Sequence, residues 1–232
     1  MNGYIDSIET MGLVDGPGIR MVVFLRGCKL RCIYCHNPET WNIEAATSIS
    51  SNEIVQKAHR NISYYKNGGI TFSGGEPLLQ PDFLLDCLKK CRELGIHTAI
   101  DTAGVGTGKY SEILDYTDLV ILDIKCTNDT EYTKLTGMNM MEFNEFVHIL
   151  NQKDVPLWIR HVIIPTINDT KEHIIEFKNY LKRFKNIEKV ELLPYHLHGI
   201  EKYSKLNIPY KLEGIPALSG EKLAELNDIL TK

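Results

Sequence analysis

The chain has 232 residues, of which 43% are hydrophobic and 24% charged, and its 26 basic and 30 acidic side chains leave a net charge of −4. That balance excludes a disordered polyelectrolyte, and no block of like charge offers a footprint for nucleic acid or a membrane surface. The length allows one domain with a sizeable core, and no run approaches the roughly twenty apolar residues of a membrane span.

Tyr4 to Ser7 reads as a short strand, and VDGPGIR, Val14 to Arg20, as a turn-rich segment. Met21 to Leu25, MVVFL, is a continuous apolar run of the kind buried on both faces of a sheet. Directly after it, GCKLRCIYCHN places Cys28, Cys32 and Cys35 in a C-x3-C-x2-C pattern. Ser51 to Arg60 is predicted helical with serine near its start, and Gly69 to Phe72 is the next strand, running into SGGEP at Ser73 to Pro77. Pro81 to Leu94 carries Leu84, Leu85, Leu88 and Cys91 at helical spacing, with Pro81 early and Gly95 just past the end. His97 to Ile100 is a strand ending at Asp101, Thr102 and Gly104, and Lys109 to Tyr116 a short helix.

Leu119 to Ile124 is a further apolar strand, followed by a helix over Met141 to Gln152 and a strand over Leu157 to Ile164. Thr170 is placed to cap a helix in which Ile174, Phe177, Leu181 and Phe184 recur on one face. Val190 to Leu193 makes a last strand and Glu221 to Leu230 a closing helix. Strand and helix alternate about six times, which predicts a parallel α/β sheet, open or curled into a partial barrel. Functional residues then belong beyond the carboxyl ends of the strands, where the cysteine loop, SGGE, DTAG, DIK and PYH all fall.

No repeat or long linker divides the chain, so a single domain over residues 1–232 is expected. The first residues, MNGYIDSIETMG, lack a basic region followed by an apolar core, and a cytoplasmic protein is expected. Six cysteines in such a compartment read as ligands and buried thiols, with Cys87, Cys91 and Cys126 as packing residues. Three close thiolates can each take one corner of an iron-sulfur cluster and leave one position open for chemistry. A Cys3His zinc site using His36 is the competing ligand set, although adjacent Cys35 and His36 do not readily converge on one ion. A disulfide would leave an odd cysteine and need an oxidising compartment.

The cysteine pattern with Tyr34 before its last member resembles the radical S-adenosylmethionine (SAM) enzymes. VDGPGIR, the extended YCHN, SGGEP, LDIK at Leu122 to Lys125 and ELLPYH at Glu191 to His196 narrow the resemblance to the glycyl-radical-enzyme activases, over nearly the whole chain. The resemblance implies a single-domain partial (β/α)6 barrel with parallel strands, an enzyme, a 4Fe-4S cluster on Cys28, Cys32 and Cys35, and SAM at the open iron. It implies SAM contacts from Tyr34, Cys35, His36, Gly75, Asp123, Ile124, Lys125 and His196, with Gly74 and Glu76 in support and Asn37 holding the loop. Asp101, Thr102 and Asp123, with the Ile121 carbonyl, correspond to a monovalent-cation site, and Asp15 and Arg160 to positions near an incoming peptide. The implied partners are a glycyl radical enzyme, foremost pyruvate formate-lyase, and reduced flavodoxin or ferredoxin as electron donor. No cysteine lies between Cys35 and Gly74, so no ferredoxin-like insertion is expected. A radical SAM enzyme acting on a small molecule or another peptide, and a non-catalytic iron-sulfur or zinc module, are the alternatives; the last leaves SGGEP, LDIK and PYH unexplained.

Overall fold

The computed structural model describes residues 1–44 and 46–231. The chain begins with an antiparallel pair, β1 (Asn2–Gly12) and β2 (Arg20–Leu25), and β3 (Thr47–Ser50) lies antiparallel on the other side of β1. Helix α1 (Ser51–Arg60) follows, then β4 (Gly69–Gly74), α2 (Pro81–Glu93), β5 (Thr98–Thr102), α3 (Tyr110–Asp115) and β6 (Leu119–Asp123). Helices α4 (Asp129–Thr136) and α5 (Met141–Leu150) lead to β7 (Leu157–Ile163), α6 (Lys171–Leu181) and β8 (Ile187–Pro194), and the chain closes with α7 (Ile200–Lys205) and α8 (Gly220–Thr231). The sheet order is β3-β1-β2-β4-β5-β6-β7-β8, with β2 and β4 through β8 parallel. These six strands are the expected (β/α)6 unit, and the sheet stays unclosed because β3 and β8 end it on opposite edges.

The helix boundaries follow local chemistry. Ser50 caps α1 in a reciprocal capping box with Glu53, Thr170 accepts from the His173 amide to cap α6, and Pro81 occupies the first turn of α2. One face of the parallel strands, including Ile70, Phe72, Ile100, Val120, Leu122 and Ile159, joins Phe83, Leu88, Phe143, Phe146 and Phe177 of the helices in the main core. Each such side chain contributes roughly 1.5–3 kcal/mol on burial. The opposite face carries a separate small apolar cluster of Ala99, Leu119, Ile121 and Trp158, and beyond it polar side chains toward the strand ends. Period-two alternation thus separates the core from the site. Cys87, Cys91 and Cys126 are buried as expected, and all six cysteines are free.

Candidate active site

The cysteine loop leaves the carboxyl end of β2 and is tied to three neighbours. The Gly27 and Cys28 amides donate to the carbonyls of Thr40 and Trp41 at 2.7 and 3.1 Å, and the Arg31 and Ile33 amides to those of Thr136 and Leu135 at 2.7 and 2.9 Å. The SGGEP turn is bonded to the start of the loop, with the Gly75 amide donating to Leu25 at 2.7 Å and the Glu76 amide to Gly27 at 2.8 Å. Only a residue without Cβ fits at Gly75, since an added Cβ would lie 2.3 Å from the Gly27 carbonyl oxygen.

Glu76 is fully buried and accepts from the Thr102 hydroxyl at 2.5 Å, the Ala103 amide at 2.8 Å and the Leu78 amide at 3.1 Å. It therefore fastens the turn after β4 to the turn after β5. Burial pushes its carboxyl up to about 7 against those three donors.

A cavity of about 370 Å³, within the range of small-molecule sites, opens between these turns. Its walls include Cys28, Cys32, Cys35, Tyr34, His36 and Asn37 from the loop, Gly74 and Gly75 from the second turn, and Asp101, Asp123, Lys125, Arg160 and His196 from the later strand ends. Lys125 pairs with Asp123, and its ammonium lies 5.5 Å from the centroid of the Tyr34 ring. Burial, the largest single influence, opposes the Lys125 charge, but Asp123 together with Tyr34 and Cys32 holds the group well above the usual lysine range. The other Asp123 oxygen, Oδ1, is buried without a hydrogen-bond partner. A buried acceptor left open beside a cation suits a ligand that brings its own donor or cation.

Arg160 forms the floor. It pairs with Asp101 at 3.6 Å and Glu191 at 3.2 Å and donates to the Val14 carbonyl, which brings the VDGPGIR segment across the inner face. Burial raises the Asp101 carboxyl, while Arg160 and the Ser73 hydroxyl at 2.9 Å oppose the rise. At the rim His36 stacks on His196, with ring centroids 3.8 Å apart, and burial with His196 pushes His36 down to about 4.

The structure thus brings thirteen expected residues to one cavity: Cys28, Cys32, Tyr34, Cys35, His36, Asn37, Gly74, Gly75, Asp101, Asp123, Lys125, Arg160 and His196. Ile124 is buried with its carbonyl accepting from His161 at 2.7 Å, Thr102 spends its hydroxyl on Glu76, and Asp15 lies outside the cavity lining with its carbonyl accepting from Thr71 at 2.6 Å. Trp41, Leu30, Ala103, Val162 and Leu193 line the cavity without having been singled out; Trp41, one of two tryptophans and four residues past Asn37, was the one with a readable signal.

The donor set fits a thiolate-held cluster. Burial pushes the thiols of Cys28 and Cys32 up to about 12 and raises that of Cys35, so metal binding there releases protons. No group of three His, Cys, Asp or Glu among the described residues is gathered for a single metal ion. The Gly75 cradle, the Lys125 cation and the open Asp123 oxygen belong to the same cavity as the cysteines. They suit a zwitterionic ligand with an amine and a carboxylate.

Comparison with known proteins agrees. A model of the Radical SAM superfamily matches residues 22–178. A pyruvate formate-lyase-activating enzyme from Clostridium pasteurianum is 54% identical over 98% of this chain and 97% of its own length. One from Listeria monocytogenes is 41% identical over 98% of this chain and 96% of its own. Among solved structures, a domain of the pyruvate-formate lyase-activating enzyme from Bacteroides vulgatus aligns with a TM-score of 0.57 at 28% identity, covering 71% of this chain and 93% of that one. With strand-end motifs gathered in one cavity and relatives matched over almost all of both chains, this chain belongs to the radical SAM superfamily and, within it, to the family of pyruvate formate-lyase-activating enzymes.

Proposed function

We propose that the chain activates pyruvate formate-lyase by installing a radical on one of its glycines, and that the residues of the cavity divide that work as follows. The gathering of three thiols in one cavity with Gly75, Asp123 and Lys125 is the observation that carries the reading. Bound there, a 4Fe-4S cluster would supply an electron and SAM a sulfonium whose cleavage, with methionine as leaving group, would provide the power to take hydrogen from a glycine Cα.

Cys28, Cys32 and Cys35 would hold the cluster through their thiolates and leave a position on it to the cofactor. Gly75, with Gly74 beside it, lets backbone approach the cofactor amine, and Lys125 offsets its carboxylate. Asp123 accepts from the ribose or shares a monovalent cation with the Asp101 carboxylate and the Thr102 and Ile121 carbonyls. Ile124 offers backbone beside the adenine, which Tyr34 and His36 flank, and His196 contacts the ribose. Arg160 and Asp15 receive the peptide. Since the third donor direction of Arg160 is taken by the Val14 carbonyl, an incoming main-chain carbonyl would compete with that contact.

The electron donor is a reduced flavodoxin or ferredoxin, and the setting is the cytoplasm, in keeping with six free cysteines and with the lack of any helix, among the described residues, long and apolar enough to cross a membrane. One radical SAM unit without an auxiliary cluster accounts for the absence of cysteine between Cys35 and Gly74. The test is oxygen sensitivity of the partner. Pyruvate formate-lyase incubated anaerobically with the cluster-loaded chain, SAM and dithionite, then exposed to air, is expected to break at one glycine into two fragments. A partner that stays intact while 5′-deoxyadenosine accumulates refutes the choice of substrate, and absence of both refutes the reaction.

A further inference from the structure

The three ligand cysteines are not anchored alike. The amide of Cys28 is bonded to Trp41, and the residues on either side of Cys32 are bonded to the end of α4, but among the described residues the Cys35 amide reaches back only to Cys32, at 3.1 Å. What holds the Cys35 end of the loop is the segment that follows β8. The buried hydroxyl of Tyr203 donates to the Cys35 carbonyl at 2.9 Å. Lys202 donates to Asn37 Oδ1 at 2.8 Å and pairs with Glu39 Oε1 at 2.5 Å, while the second Glu39 oxygen is buried without a hydrogen-bond partner. His36 Nε2 lies 3.3 Å from the His196 carbonyl. At Gly199 the two backbones meet so closely that an added Cβ would stand 2.9 Å from the His36 Cα and 3.0 Å from its carbonyl oxygen.

Tyr203 is itself braced. Its ring lies edge-on to Trp41 at 6.1 Å and packs on Tyr210 at 4.8 Å, and the Tyr210 hydroxyl lies 2.7 Å from that of Tyr195. Cys35, His36, Asn37 and Glu39 are therefore each touched by residues between His196 and Tyr203. That pattern joins the first and last strand ends of the parallel sheet across the cavity mouth.

From this we propose that the segment from Gly199 to Tyr203 is a clasp on the ligand loop, with Lys202 and Tyr203 as positioning residues that govern how long the chain retains its cluster. The proposal rests on the reading of Cys28, Cys32 and Cys35 as cluster ligands. Loss of a cluster to a competitor requires a ligand segment to open locally, and the frequency of that opening is set by the contacts that must break first. Here they are one part-buried hydrogen bond to the Cys35 carbonyl and a charged pair to a half-buried carboxylate, beside the His36–His196 contact, at a cysteine whose own amide, among the described residues, reaches only Cys32.

The test compares wild type with Lys202→Met, Lys202→Arg and Tyr203→Phe, all reconstituted anaerobically. The readouts are decay of cluster absorbance under excess iron chelator, the electron paramagnetic resonance signal of the reduced cluster, and the melting curve of each cluster-free chain. Lys202→Met and Tyr203→Phe are each expected to release iron about tenfold faster, the effect of one charge-assisted or buried hydrogen bond. Lys202→Arg, which keeps the charge on Glu39, is expected to restore most of the retention, and the cluster-free melting curves are expected to fall by no more than the loss of one such hydrogen bond. Unchanged release in Lys202→Met and Tyr203→Phe overturns the clasp, and so does a Lys202→Arg chain that releases iron as fast as Lys202→Met. A wild-type chain that assembles no cluster overturns the ligand reading itself, and is told apart because all four proteins then fail together.

Discussion

The tightest test of the site's geometry is the substitution of one hydrogen by one methyl. In Gly75→Ala the new Cβ would lie 2.3 Å from the Gly27 carbonyl oxygen, 2.9 Å from its carbon and 3.1 Å from the Thr40 carbonyl oxygen. Ordinary contact begins near 3.4 Å, so the SGGEP turn and the cysteine loop must part by about 1 Å. Neither side is free to yield, because both are backbone and the Gly75, Glu76 and Gly27 amides hold them with bonds of 2.7 to 2.8 Å. Overpacking of this kind costs roughly 1–3 kcal/mol of stability. The effect on chemistry is larger in proportion, since a misplacement of about 1 Å between reacting groups costs on the order of a hundredfold in rate. Gly220→Ala is the control, for nothing lies within 4 Å of that position at the start of α8, and its stability is expected to stay within about 0.5 kcal/mol of wild type. Thermal melting and the initial rate of 5′-deoxyadenosine formation by the cluster-loaded proteins measure the two effects. A Gly75→Ala chain with wild-type rate and stability would refute the account of the close approach.

Alanine at Cys28, Cys32 or Cys35 is expected to abolish the cluster absorbance of the reconstituted chain, and retention of that absorbance with SAM cleavage would reverse the ligand assignment. His161 is buried, with Nδ1 at 2.7 Å from the Ile124 carbonyl and Nε2 at 2.8 Å from His173. His161→Leu, which strands those partners, is expected to cost about 2 kcal/mol in urea unfolding and to raise the KM for SAM through the neighbouring Lys125; an unchanged KM would detach this network from the site. Asp86 joins α1 to α2 through Ser51 at 2.5 Å and Lys90 at 2.8 Å. Burial opposes its charge, yet the Lys90 and Ser51 bonds prevail and bring its carboxyl down to about 2. Its folded-state value is below the unfolded one, so its contribution is present above about pH 4 and lost as pH falls through about 2. Asp86→Asn is expected to lower the urea midpoint at neutral pH and to flatten its decline in acid, and parallel acid profiles would contradict the pairing.

The parallel half of the fold was legible because strands buried on both faces require apolar runs, and MVVFL, the stretch from Leu119 and the stretch from Leu157 are such runs. The amino-terminal strand was read as four residues, whereas β1 spans eleven because it is paired on both sides, by β2 and by β3. Nothing in TSIS announces β3, a four-residue edge strand whose partner lies more than forty residues away in sequence. Helix α4 escaped notice because its surface is mostly polar and it buries only Tyr132, Leu135 and Thr136; the signal that marks it is Asn128 with Glu131 three residues on, a side-chain cap. The motif residues of the site were readable one by one. What sequence could not give was the set of bonds between them, such as Thr102 on Glu76, Arg160 on Val14 and Tyr203 on Cys35, each of which spans 26 to 168 positions of chain.

The cavity is expected to generate a radical and pass it to a glycine of pyruvate formate-lyase. The most direct measurement is the electron paramagnetic resonance spectrum of the anaerobic mixture of cluster-loaded chain, SAM, dithionite and that partner. A glycyl-radical doublet that grows in step with 5′-deoxyadenosine, and that disappears with Cys35→Ala, is the predicted result. An intact reduced cluster with SAM present and neither doublet nor 5′-deoxyadenosine formed would contradict the account.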